Sequence, residues 1–169
     1  MRRDAVKFLF GLVSAASLIL TLTLSGCGFQ LRGQAALPFS AAFVSAPETS
    51  NVGNALRRTL SSQQKLASSQ EGAPIRIKLE KETYRKNILA LSGGGKVREY
   101  RLEYLIQLSV FDAGGVALVE PTEILLSNDY SYSDDQVLAK EAEEASLNRS
   151  MEQDALRQIL RRLSYLKAP

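Results

Sequence analysis

Cys27 is the one residue of this 169-residue chain whose type and neighbours suit covalent chemistry. It is the only cysteine, and it follows Leu24-Ser25-Gly26, one branched apolar residue and two small ones. That is the order of a bacterial lipoprotein signal. The small residues fit a peptidase pocket. The thiol is the nucleophile that accepts a diacylglyceryl group, after which cleavage leaves Cys27 as the first residue. The preceding residues fit the same reading. Arg2, Arg3 and Lys7 give a basic start, diluted by Asp4, and Phe8 to Leu24 is a run of 17 uncharged, mostly apolar residues. Such a run falls short of the roughly 20 residues needed to span a bilayer. Two or three acyl chains, at about 0.8 kcal/mol per buried methylene, anchor a protein stably where one does not. The alternative is an uncleaved membrane helix with an incidental Cys. It leaves unexplained why the apolar run, the small pair and the sole thiol fall in register.

Little else in the composition can do chemistry. There is no His and no Trp. The first absence excludes Ser-His-Asp triads, Cys-His pairs and imidazole metal sites. A single Cys excludes an internal disulfide and a thiolate zinc cluster. The loop Ser92-Gly93-Gly94-Gly95-Lys96 lacks the GxxxxGK[ST] spacing of a phosphate cradle and joins two predicted strands, so it reads as a hairpin tip. Glu141, Glu143 and Glu144 read as a solvated helix face. Ser61-Ser62 and Ser68-Ser69 have no base in view. No catalytic residue, metal site or cofactor is expected. What remains is a basic group of three. Lys96 and Arg98 flank the glycine-rich tip, and Lys140 lies in the first turns of a long helix. If tip and helix start share one end of the sheet, these groups suit the phosphates and carboxylates of an anionic glycolipid. Otherwise they are ordinary surface charges.

The elements that must position them follow from patterning. With residues 1–26 read as signal peptide, 27–40 are a lipidated tether and 41–169 one domain of ordinary globular composition. The leader carries three of the 21 basic and one of the 18 acidic residues, leaving a net charge of about +1 on the rest, which gives no surface for tracking nucleic-acid phosphates. Ala41 to Ser45 reads as a short strand. Ser50 or Asn51 can cap a helix carrying Val52, Leu56 and Leu60 on one side. Ser61 to Gly72 reads as a polar, flexible connector. Ile75, Ile77 and Leu79 alternate with charged residues, and the alternation blurs from Lys81 to Lys86, the mark of a bulge or frayed edge. Tyr100, Leu102, Tyr104, Ile106, Leu108 and Val110 share one face of a third strand, with Arg101, Glu103, Gln107 and Ser109 on the other, Leu105 and Phe111 being the exceptions. Asp112-Ala113-Gly114-Gly115 turns the chain into a fourth strand, Val116 to Tyr132, whose Pro121 belongs at an edge or bulge. Ser133 and Gln136 form a capping box for a helix from about Asp134 to Leu166. Such a helix is ~50 Å long and is expected to project from the sheet or kink. The expectation is an α+β fold, a four-stranded mixed sheet in the order β-α-β-β-β-α with two helices on one face.

The stretch Cys27-Gly28-Phe29-Gln30-Leu31-Arg32-Gly33, with Glu99-Tyr100 opening a long strand and Gln136 to Glu141 opening the terminal helix, resembles the LptE family of lipopolysaccharide-assembly lipoproteins. The resemblance spans nearly the whole chain after the leader. It implies a non-enzymatic protein at the inner leaflet of the outer membrane of Gram-negative bacteria. Such a protein plugs the large barrel LptD, assists its assembly and takes part in placing lipopolysaccharide at the surface. In this chain the basic group of Lys140, Lys96 and Arg98 is where the lipopolysaccharide contact is expected. Gly28 suits sorting to the outer membrane, because the inner-membrane retention signal typically has Asp there. Two other readings stay open on the residues alone: a lipid-anchored periplasmic scaffold or carrier without a barrel, and a lipid-anchored hydrolase using Ser-Lys or paired carboxylates.

Overall fold

The structure is a computed structural model and describes residues 36–167. The leader and Cys27 lie outside the described residues. Strand β1, Ala42–Ser45, pairs in parallel with β2, Ile75–Leu91, starting at Ala42 opposite Ile75. Strands β3, Val97–Asp112, and β4, Ala117–Ser131, continue as an antiparallel meander, so the sheet runs β1-β2-β3-β4. Helix α1, Asn51–Ser62, links β1 to β2, and helix α2, Val137–Ser164, follows β4. This is the expected order.

Each element has a local cause. Ser50 caps α1 by accepting from the Gly53 N–H at 2.8 Å, and Val52, Leu56 and Leu60 face inward at the helical period. The connector after α1 is more tied down than its polar composition suggests. The Ala42 N–H donates to the Lys65 carbonyl at 2.8 Å and the Ala67 N–H to the Ala42 carbonyl at 2.9 Å, covering the outer edge of β1. The Lys65 ammonium donates to the carbonyls of Leu37 and Phe39, two residues ahead of β1 that lie in the core.

The blurred alternation in β2 is a bulge. Glu80 pairs with Gln107 and Thr83 with Leu105, so Lys81 and Glu82 oppose Ile106 alone, and Lys81 sits at φ +51°. The extra residue switches the inward set from Ile75, Ile77 and Leu79 to Tyr84, Lys86 and Ile88, opposite Tyr104, Leu102 and Tyr100. A second bulge places Glu120 and Pro121 against Ser109 on the edge strand β4, where proline's missing N–H costs no ladder bond.

Three expectations need correction. The helix enters through a 3-10 turn, Asp134–Gln136, in which Ser133 Oγ accepts from the Asp135 N–H at 3.4 Å, and no capping box with Gln136 forms. The continuous 28-residue α2 spans ~42 Å, whereas strands of 15 to 17 residues span ~50–55 Å, so the sheet is long enough to carry it. Ser109, placed on the polar face, is only 3% exposed.

Candidate functional site

The sheet and α2 divide into two unlike halves. At the end where β2 begins, the inward residues are aliphatic: Ile75, Ile77, Leu79, Ile106 and Leu108 meet α1 and the second half of α2, where Met151, Ala155, Ile159 and Leu163 are buried. At the far end the inward residues are Tyr84, Lys86, Tyr100, Tyr104 and Tyr130. The half of α2 above them, residues 137–150, has no fully buried side chain. Its half-buried positions are Lys140, Glu144, Leu147 and Asn148, of which the first three continue the line of Met151 and Ala155 in steps of three and four.

That far end brings the three predicted basic residues together. The tip is a tight turn in which the Ser92 N–H donates to the Lys96 carbonyl at 2.7 Å, with Gly95 at φ +77°. The positive φ accounts for one glycine of the three. Lys96 reaches Asp134 at 3.5 Å, both side chains being largely exposed. A concavity of about 390 Å³ is lined by Arg98, Tyr132, Ser133, Gln136 and Lys140 with Glu99 at its wall, and a smaller one of about 190 Å³ by Ser92, Lys96, Arg98, Tyr132, Asp134 and Asp135, among others. Arg98, Tyr132 and Ser133 are common to both. The Arg98 side chain has no partner among the described residues. The Lys140 ammonium is the most enclosed, its side chain 14% exposed, and it donates to Ser131 Oγ at 3.2 Å and Glu143 at 2.9 Å.

Beside these lies a cluster that composition does not single out. Lys86 donates to Glu144 Oε2 at 2.6 Å, and the Tyr130 hydroxyl donates to the same oxygen at 2.8 Å. The ammonium also stands 4.3 Å from the centre of the Tyr100 ring. Tyr100 stacks on Tyr130 at 5.9 Å and meets Tyr132 edge-on at 5.2 Å. Burial alone would lower the Lys86 pKa, but the bonds to Glu144 and Tyr130 outweigh it and hold it above its ordinary value. Burial would likewise raise the Glu144 pKa, and Lys86 and Tyr130 together bring it below the usual carboxylate range. Burial, partly opposed by Lys86 and reinforced by Glu144, pushes the Tyr130 phenol up. Glu144 is therefore not part of a solvated face as expected, while Glu141 and Glu143 are exposed. The available signal is positional: Glu144 lies four residues after Lys140 and seven before Met151, on the buried line of α2.

A second polar knot sits nearer the bulge. The Tyr104 hydroxyl donates to Glu82 at 2.7 Å and the Tyr84 hydroxyl to Glu152 at 2.7 Å, where Asn51 also donates at 3.0 Å. Burial, then the nearby carboxylates, hold both phenols protonated well above their ordinary range. These bonds tie α1, β2 and α2 together. The opposite face of the sheet carries no helix among the described residues, and part of its charge pairs within it: Arg101 with Asp129 through two bonds of 2.8 Å and Lys78 with Glu80 at 2.9 Å, while Glu103 accepts from the Asn87 amide at 3.2 Å.

The profile of the LptE family, described as lipopolysaccharide-assembly, matches residues 40–163. Among solved structures, the chain is similar to an uncharacterized lipoprotein B from Nitrosomonas europaea, at 37% identity and TM-score 0.70, covering 81% of this chain and 90% of that one. The rare lipoprotein B from Shewanella oneidensis shares the fold at 23% identity and TM-score 0.63, over 73% of this chain and 93% of that one. A minor lipoprotein from Acinetobacter baumannii does so at 21% identity and TM-score 0.60, over 76% and 93%. No curated protein matches the chain significantly.

Proposed function

Because the chain belongs to the LptE family of non-enzymatic lipopolysaccharide-assembly lipoproteins, we propose that it is the outer-membrane lipoprotein that occupies the lumen of an LptD-type β-barrel. It supports the assembly of that barrel and takes part in moving lipopolysaccharide to the cell surface. Acylated Cys27 anchors it on the periplasmic side. The observation that carries the reading is the bare face of the sheet. It carries the basic residues Arg76, Lys78, Arg85 and Arg101 and the acidic residues Glu80, Glu103, Glu123 and Asp129, so its net charge is near zero, and Arg101–Asp129 and Lys78–Glu80 pair within it. A barrel lumen is itself polar, and a balanced polar surface of this kind suits it better than an apolar wall.

The lipopolysaccharide contact is the concavity of Arg98 and Lys140, with Lys96 at its rim. Guanidinium and ammonium groups there meet phosphate oxygens through charge-assisted bonds. The test is recovery of the intact lipoprotein from outer membrane in mild detergent. A stable complex with a barrel several times its mass is expected, along with acylated Cys27 by mass spectrometry. Lys140→Glu is expected to weaken lipopolysaccharide binding with the barrel still bound. A protein that comes down without a barrel, or with an unmodified thiol, overturns the proposal.

A further inference from the structure

The cluster at Lys86 has the form of a ligand site whose ligand is supplied by the protein itself. Two donors, the Lys86 ammonium and the Tyr130 hydroxyl, converge on a single oxygen, Glu144 Oε2, at 2.6 and 2.8 Å. The face of Tyr100 lies 4.3 Å from the ammonium. Remove the carboxylate, and what is left is a cation and a hydroxyl aimed at one anionic oxygen beside an aromatic plane. Those groups bind the phosphate of a phosphorylated sugar, with the ring resting on the aromatic face.

The carboxylate is also easy to displace. The Lys86 and Glu144 side chains keep 38% and 25% of their surface exposed, so solvent reaches the pair. Glu144 is carried by the half of α2 that has no fully buried side chain, so turning it outward gives up little apolar contact. The position is continuous with the concavity above: Tyr100 touches Tyr132 edge-on at 5.2 Å, and Tyr132 lines the wall shared with Arg98 and Lys140.

We propose that Lys86, Tyr130 and Tyr100 form a second phosphosugar subsite, held closed by Glu144 as an internal counter-anion that a ligand phosphate displaces. The inference rests on the glycolipid reading above and extends it from one anionic contact to two, joined by a tyrosine strip.

The two partners of the pair have opposite expected effects, which a purely structural ion pair does not share. The full acylated lipoprotein in detergent is titrated with purified lipopolysaccharide and with its dephosphorylated form. Lys86→Met is expected to weaken binding of the phosphorylated form about tenfold, the value of one charge-assisted bond, and to leave the dephosphorylated form unaffected. Glu144→Gln removes the competing charge and is expected to tighten binding severalfold, a gain that misfolding cannot imitate. Tyr130→Phe is expected to weaken binding by a smaller factor. If Glu144→Gln does not tighten binding, or Lys86→Met leaves it unchanged while Lys140→Glu weakens it, this subsite falls and the function proposed above stands. Absence of binding by the unaltered protein overturns both.

Discussion

Replacing Gly53 with Ala sets two effects of known size against each other. Gly53 lies in the first turn of α1 and is buried. In a helix, Ala is favoured over Gly by about 1 kcal/mol, so propensity alone predicts a gain. The surroundings predict a loss. A Cβ at Gly53 would stand 2.6 Å from Ala46 Cβ and 3.0 Å from Ser50 Oγ. Ordinary carbon contacts are ~3.5–4.0 Å, so the helix must retreat by about 1 Å. It is not free to do so. Ser50 Oγ holds the Gly53 N–H at 2.8 Å, Arg57 holds the Ala46 carbonyl at 2.8 Å, and Asn54 holds the Glu48 carbonyl at 2.8 Å. Leu56 and Leu60, both fully buried, fix the far side. Overpacking of this kind costs about 1–3 kcal/mol. The net expectation is a loss of about 0–2 kcal/mol, up to about 8 °C in Tm, followed by circular dichroism on heating and in urea. The contact itself is isolated by a cycle with Ala46→Gly, in which the double variant should recover part of the loss. A Gly53→Ala protein as stable as the original, with no coupling to Ala46, would refute the packing argument.

Ser50→Ala is expected to cost about 1–2 kcal/mol in urea unfolding, because it leaves the buried Gly53 N–H without its acceptor. Lys81→Gly, at φ +51°, should stabilise the protein by about 0.5–1 kcal/mol in the same assay, since glycine adopts that conformation without strain. The tie between Glu144 and Lys86 should give a plateau of stability between pH 4.5 and 10.5. The lowered Glu144 pKa means its contribution is present above 4.5 and fades as pH falls; the raised Lys86 pKa means the loss on the alkaline side begins above 10.5. Urea titrations of Glu144→Gln should therefore differ from the original near neutrality and converge with it in acid.

Strand order, both turns, the bulge in β2 and the edge position of Pro121 are legible in the sequence because each rests on local rules of alternation and proline geometry. What the sequence conceals comes from contacts between distant segments. Leu66 joins β1 only because Lys65 and Ala67 find the backbone of Ala42 in space. Lys86 reads as one more surface lysine until the bulge turns it inward opposite Leu102. Glu144 looks solvated among Glu141 and Glu143 until the line through Met151, Ala155, Ile159 and Leu163 is extended backward onto it. Of the basic residues at the candidate site, Lys96, Arg98 and Lys140 stand out by their nearness to a turn and a helix start. The tyrosines between them read as core, which in part they are.

This division of labour along α2 bears on how binding and stability relate. From Met151 onward the helix is held by buried aliphatic contacts, and truncating one such residue, as in Ile159→Ala, leaves a cavity worth about 2–5 kcal/mol. Before Met151 it is held by Lys140, Glu144 and the half-buried Leu147, largely through polar groups that water can replace at small cost. The first half should then open locally while the second stays closed, and amide hydrogen exchange reads this directly. Amides of residues 141–147 are expected to exchange through a low-energy opening, and those of 155–163 only near global unfolding. Equal protection along the helix would mean that the polar contacts hold as firmly as the aliphatic ones. In that case Glu144 could not yield to a ligand at the affinities a surface glycolipid contact provides.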